Sequence, residues 1–211
     1  MRIQQYIPFI SYVVFITSVI LHEISHGVTA YLCGDTTAMD AGRLSLSPVR
    51  HFDVVGSMVV PLLLFLTGST IFGWAKPVPV NFDNLKLKKK VIVSCAGVFT
   101  NIILSGVGLL LYYKTNQYME PGAPMIMQIF CIGVFLFFPV NIFLAMFNAL
   151  PLPPFDGWTM ISSFLKKDID KHIANRPWII WLSIITAVVI LKLVSTHILN
   201  FVRYASQLPL N

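Results

Sequence analysis

Residues 6–33 read YIPFISYVVFITSVILHEISHGVTAYLC, an apolar run interrupted by His22-Glu23-Ile24-Ser25-His26. Two His at i and i+4 lie on one face of a helix. That spacing lets both imidazoles hold one Zn²⁺ while the Glu between them handles the proton of a bound water. An ionisable side chain near the middle of a bilayer costs roughly 2.5–3.5 kcal/mol on insertion scales, and His22, Glu23 and His26 sit within a single turn or so of each other. A bound metal is the economical way to keep them there. The rival reading is a soluble core helix with two hydrogen-bonded His.

Composition argues against that rival. The chain has 211 residues, 56% apolar and 11% charged, with a mean hydropathy of +0.75. These are too few charges to cover a soluble globule of this size. Apolar runs at 6–33, 54–75, 91–113, 125–150 and 178–202 are each long enough, at 1.5 Å per residue, to cross a hydrocarbon core of roughly 30 Å. The expected fold is an all-α polytopic membrane protein, a bundle of about five membrane segments. It forms a single domain over 1–211, with a catalytic core at about 6–165 and a C-terminal helix at about 178–202. The first run has no small-x-small cleavage site and is read as a retained helix.

The net charge of +6 is local. Lys76, Lys86, Lys88, Lys89 and Lys90 flank the third run, and Lys166, Lys167, Lys171 and Arg176 follow the fourth, so both loops read as cytoplasmic by the positive-inside rule. Such clusters are topology signals in contact with lipid headgroups, and nucleic acid is not implied. Cys33, Cys95 and Cys131 are widely spaced in apolar surroundings and read as packing residues. His51, His172 and His197 are likewise read as packing or interface residues.

Polar residues recur on faces. Ser11, Ser18, His22, His26, Thr29 and Cys33 form one stripe on the first helix. Ser94, Gly97, Asn101, Ser105 and Gly108 form a small-residue face on the third run, of the kind that lets membrane helices approach closely. The fourth run presents Asn141 and Asn148 seven residues apart, then breaks at Leu150-Pro151-Leu152-Pro153-Pro154-Phe155-Asp156-Gly157, where the prolines cannot continue a helix. A metal site needs a third protein ligand, and Asp156 is the best candidate. An apolar helical pattern resumes at Trp158–Leu165. Counted from the ends of their segments, His22 to His26, Asn101 and Asp156 all lie at depths of roughly 10–16 Å. They meet at one level if those ends share the cytoplasmic side.

In that case 54–75 must enter and return. Val54–Thr70 would go in as a helix and Ile71–Asn81 would come back extended, giving a re-entrant or extended element at 54–81. The competing reading is a plain spanning helix. Loop 34–53 gives no orientation signal, because Arg43 and Arg50 are balanced by Asp35, Asp40 and Asp53.

Taken together, these residues resemble the site-2 protease family of intramembrane zinc metalloproteases. His22-Glu23-Ile24-Ser25-His26-Gly27 is similar to its first motif, Gly97-Val98-Phe99-Thr100-Asn101 to its glycine-to-asparagine motif, and Asn148 through Gly157 to its Asn-x-x-Pro-x-Pro-x-x-Asp-Gly motif. Similarity also covers Gly34-Asp35, Gly42-Arg43-Leu44, His51-Phe52-Asp53 and Gly73 through Asn81. It spans about 14–165 and is nearest to the compact branch without PDZ or CBS domains. Val98 stands where the family usually has Pro, Ser47 where Asn is common, and Trp158 where a second Gly is common.

The resemblance implies hydrolysis of a peptide bond within or near a transmembrane segment of a membrane-protein or membrane-peptide substrate. It implies one Zn²⁺ per chain held by His22, His26 and Asp156, and Glu23 as general base on the zinc-bound water. It also implies Asn101 and Asn148 as substrate-binding or oxyanion-stabilising residues, with an active site opening toward the cytoplasmic side of a multi-pass protein. The extended Phe72–Asn81 segment would offer an edge to an unwound substrate strand. Three other readings are weighed. A membrane-anchored zinc protease with a soluble catalytic domain would need a later Glu ligand, for which only Glu120 exists. A zinc-binding membrane transporter would use the same His and Asp as a transport site. A catalytically inactive scaffold of the same fold would have no use for the intact Glu23.

Overall fold

Helix α1 (Ile7–Leu32) contains the first apolar run. Pro8 sits in its first turn, where a missing N–H is harmless. Its end is built by Gly34, whose φ of 98° suits a residue without Cβ. Gly34 N–H donates to the Tyr31 carbonyl and Asp35 N–H to the Ala30 carbonyl, each at 2.9 Å, so the last turn is closed by the paired bonds of a Schellman motif. This is a computed structural model in which residues 3–66, 73–119, 122–165, 173 and 176–205 are described. Among the expectations above, those resting on 67–72, Glu120, Lys166, Lys167, Lys171, His172 and the side chain of His197 lie outside the described residues.

Further α-helices among the described residues are α2 (Thr37–Asp40), α3 (Val60–Leu66, preceded by a π-helical turn at Val55–Val59), α4 (Leu87–Thr115), α5 (Met125–Asn148), α6 (Asp156–Ser162) and α7 (Pro177–Ala205). Among the described residues there is no strand. The chain is an all-α membrane bundle in which α1, α4 and α5 are each long and apolar enough to cross a membrane. Helix α4 is the hub and packs against α1, α5 and α6. Its small face is buried as expected, at Ser94, Gly97, Asn101, Ser105 and Gly108. Phe99, Ile102, Ile103 and Leu110 are exposed, while Ser18, Asn101, Ser105 and Asn141 are almost fully buried. Polar inside and apolar outside is the arrangement that lipid selects. Helix α6 begins at Asp156, two residues before the apolar pattern starts, because Phe155 is extended and ends the proline-rich break.

The ends of the 54–75 run meet. Trp74 N–H donates to the Gly56 carbonyl at 3.1 Å, and Ser57 Oγ donates to the Trp74 carbonyl at 2.9 Å. A continuous helix would separate residues 56 and 74 by about 27 Å. The two ends of the run are therefore in contact, and a continuous helix over 54–75 is excluded. From Gly73 to Asn81 the backbone has no helix, turn or bend. It is fastened along its length, with Lys76 N–H on the His51 carbonyl at 2.8 Å and Arg43 Nη2 on the carbonyls of Lys76 and Pro77 at 2.6 and 3.2 Å. Lys89 Nζ reaches the Cys33 carbonyl at 2.7 Å. Loops 34–53 and 73–86 and the start of α4 thus share one end of the bundle. His51 is a packing residue, almost fully buried, with Nε2 on the Ser45 carbonyl at 2.7 Å.

Asp35 ties the end of α1 to the end of the returning segment. It accepts from Thr37 N–H at 3.2 Å, Thr37 Oγ1 at 2.5 Å and Asn81 N–H at 2.7 Å. Burial pushes its carboxyl upward, but the hydrogen bonds from Thr37 and Asn81 outweigh that and hold it below the ordinary 3.8. A depressed carboxyl stabilises the fold above its unfolded pKa, and that stabilisation is lost as pH falls through the folded value. Asp35→Asn should therefore lose about 1–3 kcal/mol at neutral pH. The gap from wild type in thermal unfolding in detergent should close as the medium is acidified below about pH 4. A gap that is constant with pH would refute the carboxylate's role.

Candidate metal centre

The three candidate ligands come together from two helices that are distant in sequence. His22 and His26 project from one face of α1, and Asp156 opens α6, which is packed on α4. His22 Nε2 and His26 Nε2 are 3.2 Å apart, and Asp156 Oδ2 lies 3.4 Å from the first and 3.1 Å from the second. The side chains are 7%, 11% and 17% exposed, so little water competes for them.

The opposite nitrogen of each ring is committed. His26 Nδ1 donates to the Val93 carbonyl at 2.8 Å, and His22 Nδ1 meets Asn101 Oδ1 at 2.5 Å. A carbonyl oxygen can only accept, so each ring carries a hydrogen on Nδ1 and turns Nε2 inward. Asp156 Oδ2 is buried and has no hydrogen-bond donor. Two imidazole nitrogens and a carboxylate oxygen at 3.1–3.4 Å require a positive centre between them, a proton or a metal ion. With ligand bonds of about 2.0–2.1 Å, tetrahedral geometry places neighbouring ligand atoms roughly 3.3 Å apart. The residues present therefore fit zinc, with the outward ring nitrogens held by the acceptors that metal-binding His usually require.

Gly97 makes room for this. A Cβ built there would fall on the imidazoles of both His22 and His26. The α4 position facing the metal ligands must be bare for α1 to come this close.

Glu23 adjoins the site, half-buried, and its Oε2 accepts the Val78 N–H at 2.8 Å. The returning segment thus passes directly over the candidate base. Asn101 is wholly buried, with Oδ1 on His22 and Nδ2 on Asn141 Oδ1 at 2.8 Å. Asn148 is half-buried, and its Nδ2 donates to the Leu144 carbonyl on its own helix at 3.0 Å. The geometry thus gathers His22, Glu23, His26, Asn101 and Asp156, whereas this bond keeps the Asn148 amide on α5. Sequence reading did not single out Val78 or Asn141 for the site. The signals were available as the only backbone N–H between two prolines and as an amide seven residues before Asn148.

Curated relatives align with the chain over most of its length. A Bacillus subtilis protein named "Putative zinc metalloprotease YwhC" is 38% identical over 156 residues, covering 71% of this chain and 66% of the relative. Rip2 of Mycolicibacterium smegmatis, described in the same words, is 26% identical over 163 residues, covering 76% and 60%. Rip2 of Mycobacterium tuberculosis is 27% identical over 159 residues, covering 75% and 58%. The chain spans about two thirds or less of the length of these relatives. No family model matches it, and no solved structure matches it.

Gly97→Ala isolates the packing argument. Alanine favours a helix over glycine by about 1 kcal/mol, so α4 itself should be no worse formed. The new methyl should nevertheless displace the imidazoles and reduce bound zinc to below about half of the wild-type content, read by elemental analysis of purified protein with unchanged helicity. Full zinc content in that variant would show that the rings do not need the bare position.

Proposed function

The chain belongs to the site-2 protease family, and we propose that it is a zinc metalloendopeptidase that cuts a peptide bond within or near a transmembrane segment of a membrane-protein substrate. The reading is carried by one observation, the convergence of His22 Nε2, His26 Nε2 and Asp156 Oδ2 beside Glu23 inside an apolar bundle. One Zn²⁺ per chain would be held by those three atoms. When bound, the ion supplies Lewis-acid polarisation of the scissile carbonyl and a water that is reactive at neutral pH.

The protein's own groups do the rest. Asn101 and the Val93 carbonyl keep a hydrogen of each imidazole on the outer nitrogen, so Nε2 is the nitrogen each ring turns toward the metal. Glu23 accepts the proton of the attacking water and returns a proton to the leaving amine nitrogen as the C–N bond breaks. The Val78 N–H holds one oxygen of that carboxylate and so fixes its plane. A helical substrate hides its carbonyls and must be unwound before attack. The non-helical segment Gly73–Asn81 passes Glu23 at Val78 and offers backbone to such an unwound strand, with Pro77 and Pro79 limiting unwanted pairing. For Asn101 the burial favours holding His22 over touching substrate, whereas half-buried Asn148 keeps the substrate-side role that its motif suggests.

The lysine-rich stretch 76–90 lies at the same end of the bundle as loop 34–53, which supports an active site opening toward the cytoplasm. With the native cysteines replaced, Val49→Cys, at an 82% exposed position, and Asn84→Cys should both resist an impermeant thiol reagent outside intact cells and react once the cells are opened. Labelling of both from outside would reverse the orientation.

Activity is tested by incubating purified protein with a membrane proteome and comparing cleavage products with a Glu23→Gln control. The amide keeps the size of the side chain but cannot take the water proton. This variant should retain zinc while turnover falls by about 10²–10⁴-fold. Zinc retention together with near-normal turnover would remove Glu23 from the general-base role.

A further inference from the structure

Asn141 lies on α5, hydrogen-bonded to Asn101 and not to any candidate metal ligand. It is wholly buried, as are Ser18 and Asn101 beside it. Its Nδ2 donates to the Phe137 carbonyl and to Ser18 Oγ, each at 2.9 Å. Neither partner can be a donor in return. The carbonyl has no hydrogen, and the single hydroxyl hydrogen of Ser18 is spent on the Val14 carbonyl at 2.8 Å. The Asn141 amide therefore has one permitted direction, with Oδ1 facing Asn101. That oxygen in turn requires the Asn101 nitrogen, at 2.8 Å, and so turns Asn101 Oδ1 onto His22 Nδ1.

Resting on the zinc reading above, we propose that Asn141 is a positioning residue of the metal centre. It sets the direction of the Asn101 amide, which holds the His22 hydrogen on Nδ1 and leaves the Nε2 lone pair for the metal. Backbone carbonyls on α1 and α5 thereby determine the polarity of one imidazole through two amides. His26 needs no such relay, since its Nδ1 meets the Val93 carbonyl directly. Without Asn141 the Asn101 amide can rotate by half a turn, offer its nitrogen to His22 and stabilise the wrong tautomer.

The test reads the ring before it reads the metal. In metal-free protein labelled with ¹⁵N-histidine, at mildly alkaline pH in detergent, His22 should give the signature of the Nδ1–H tautomer. In Asn141→Leu that signal should become a mixture of tautomers while His26 keeps its own. The Zn²⁺ dissociation constant, measured by chelator competition, should rise by about 10–100-fold. A wild-type His22 that is mainly Nε2–H overturns the proposal even if the variant does not fold. So does an Asn141→Leu variant that binds Zn²⁺ within about twofold of wild type with its His22 tautomer unchanged, against the 10–100-fold typical of an outer-shell partner. Wild-type protein with no affinity for zinc would instead sink the metalloprotease reading and leave the tautomer result standing.

Discussion

His22 Nε2, His26 Nε2 and Asp156 Oδ2 face one another at 3.1–3.4 Å inside a bundle whose outer surface is apolar. In such surroundings an unpaired polar group costs several kcal/mol, and no bulk water is at hand to take its place. Much of the surrounding structure serves to hold this arrangement in place. Gly97 lets α1 approach α4, the Val93 carbonyl and Asn101 turn the rings, and the proline break after α5 brings Asp156 back to the depth of the His pair. Removing any one partner leaves the others buried and unmatched, which is why the site and the packing cannot be varied independently.

A second constraint follows from the first. Backbone without regular structure survives at membrane depth only if its own donors and acceptors are satisfied. The returning segment meets this requirement with fixed anchors: the Gly56 carbonyl, Ser57, the His51 carbonyl, Arg43, Glu23 and Asp35. Arg43 alone serves two consecutive carbonyls. Loop 34–53 therefore acts less as a connection than as the scaffold against which the segment over the candidate active site is laid.

How much of this was legible in the sequence depends on the kind of information required. The pair of His at i and i+4 needs only helix geometry, and Asp156 was reached by counting depth along apolar runs; the three side chains named in this way do converge in space. The contact between the two ends of 54–75 agrees with the return that the same depth argument favours. The start of α6 was not reached in this way, because Asp156 and Gly157 are poor helix formers that carry no apolar periodicity. Gly97 was legible as a small packing residue but not as the space that two imidazoles require. The partnership of Asn101 with Asn141 and Ser18 was out of reach, since it depends on the relative rotation of three helices about their axes. Each lies on a polar or small face that sequence identifies, yet no spacing rule says which amide end meets which neighbour.

The contact between Glu23 and Val78 shows how a short sequence can remove such ambiguity. Residues 77–79 are Pro-Val-Pro, so between Lys76 and Val80 the backbone has a single N–H, that of Val78. If the segment slipped by one residue in either direction, a proline nitrogen would stand before the Glu23 carboxylate and no hydrogen bond would form. An unpaired carboxylate in a partly buried site is disfavoured, so the flanking prolines select one register as firmly as a sheet ladder would. The bond from Asn81 to Asp35 repeats the choice three residues further on. The carboxylate beside the metal ligands is thereby oriented by main chain, which cannot rotate away as a side chain can, and its direction follows from the positions of Pro77 and Pro79.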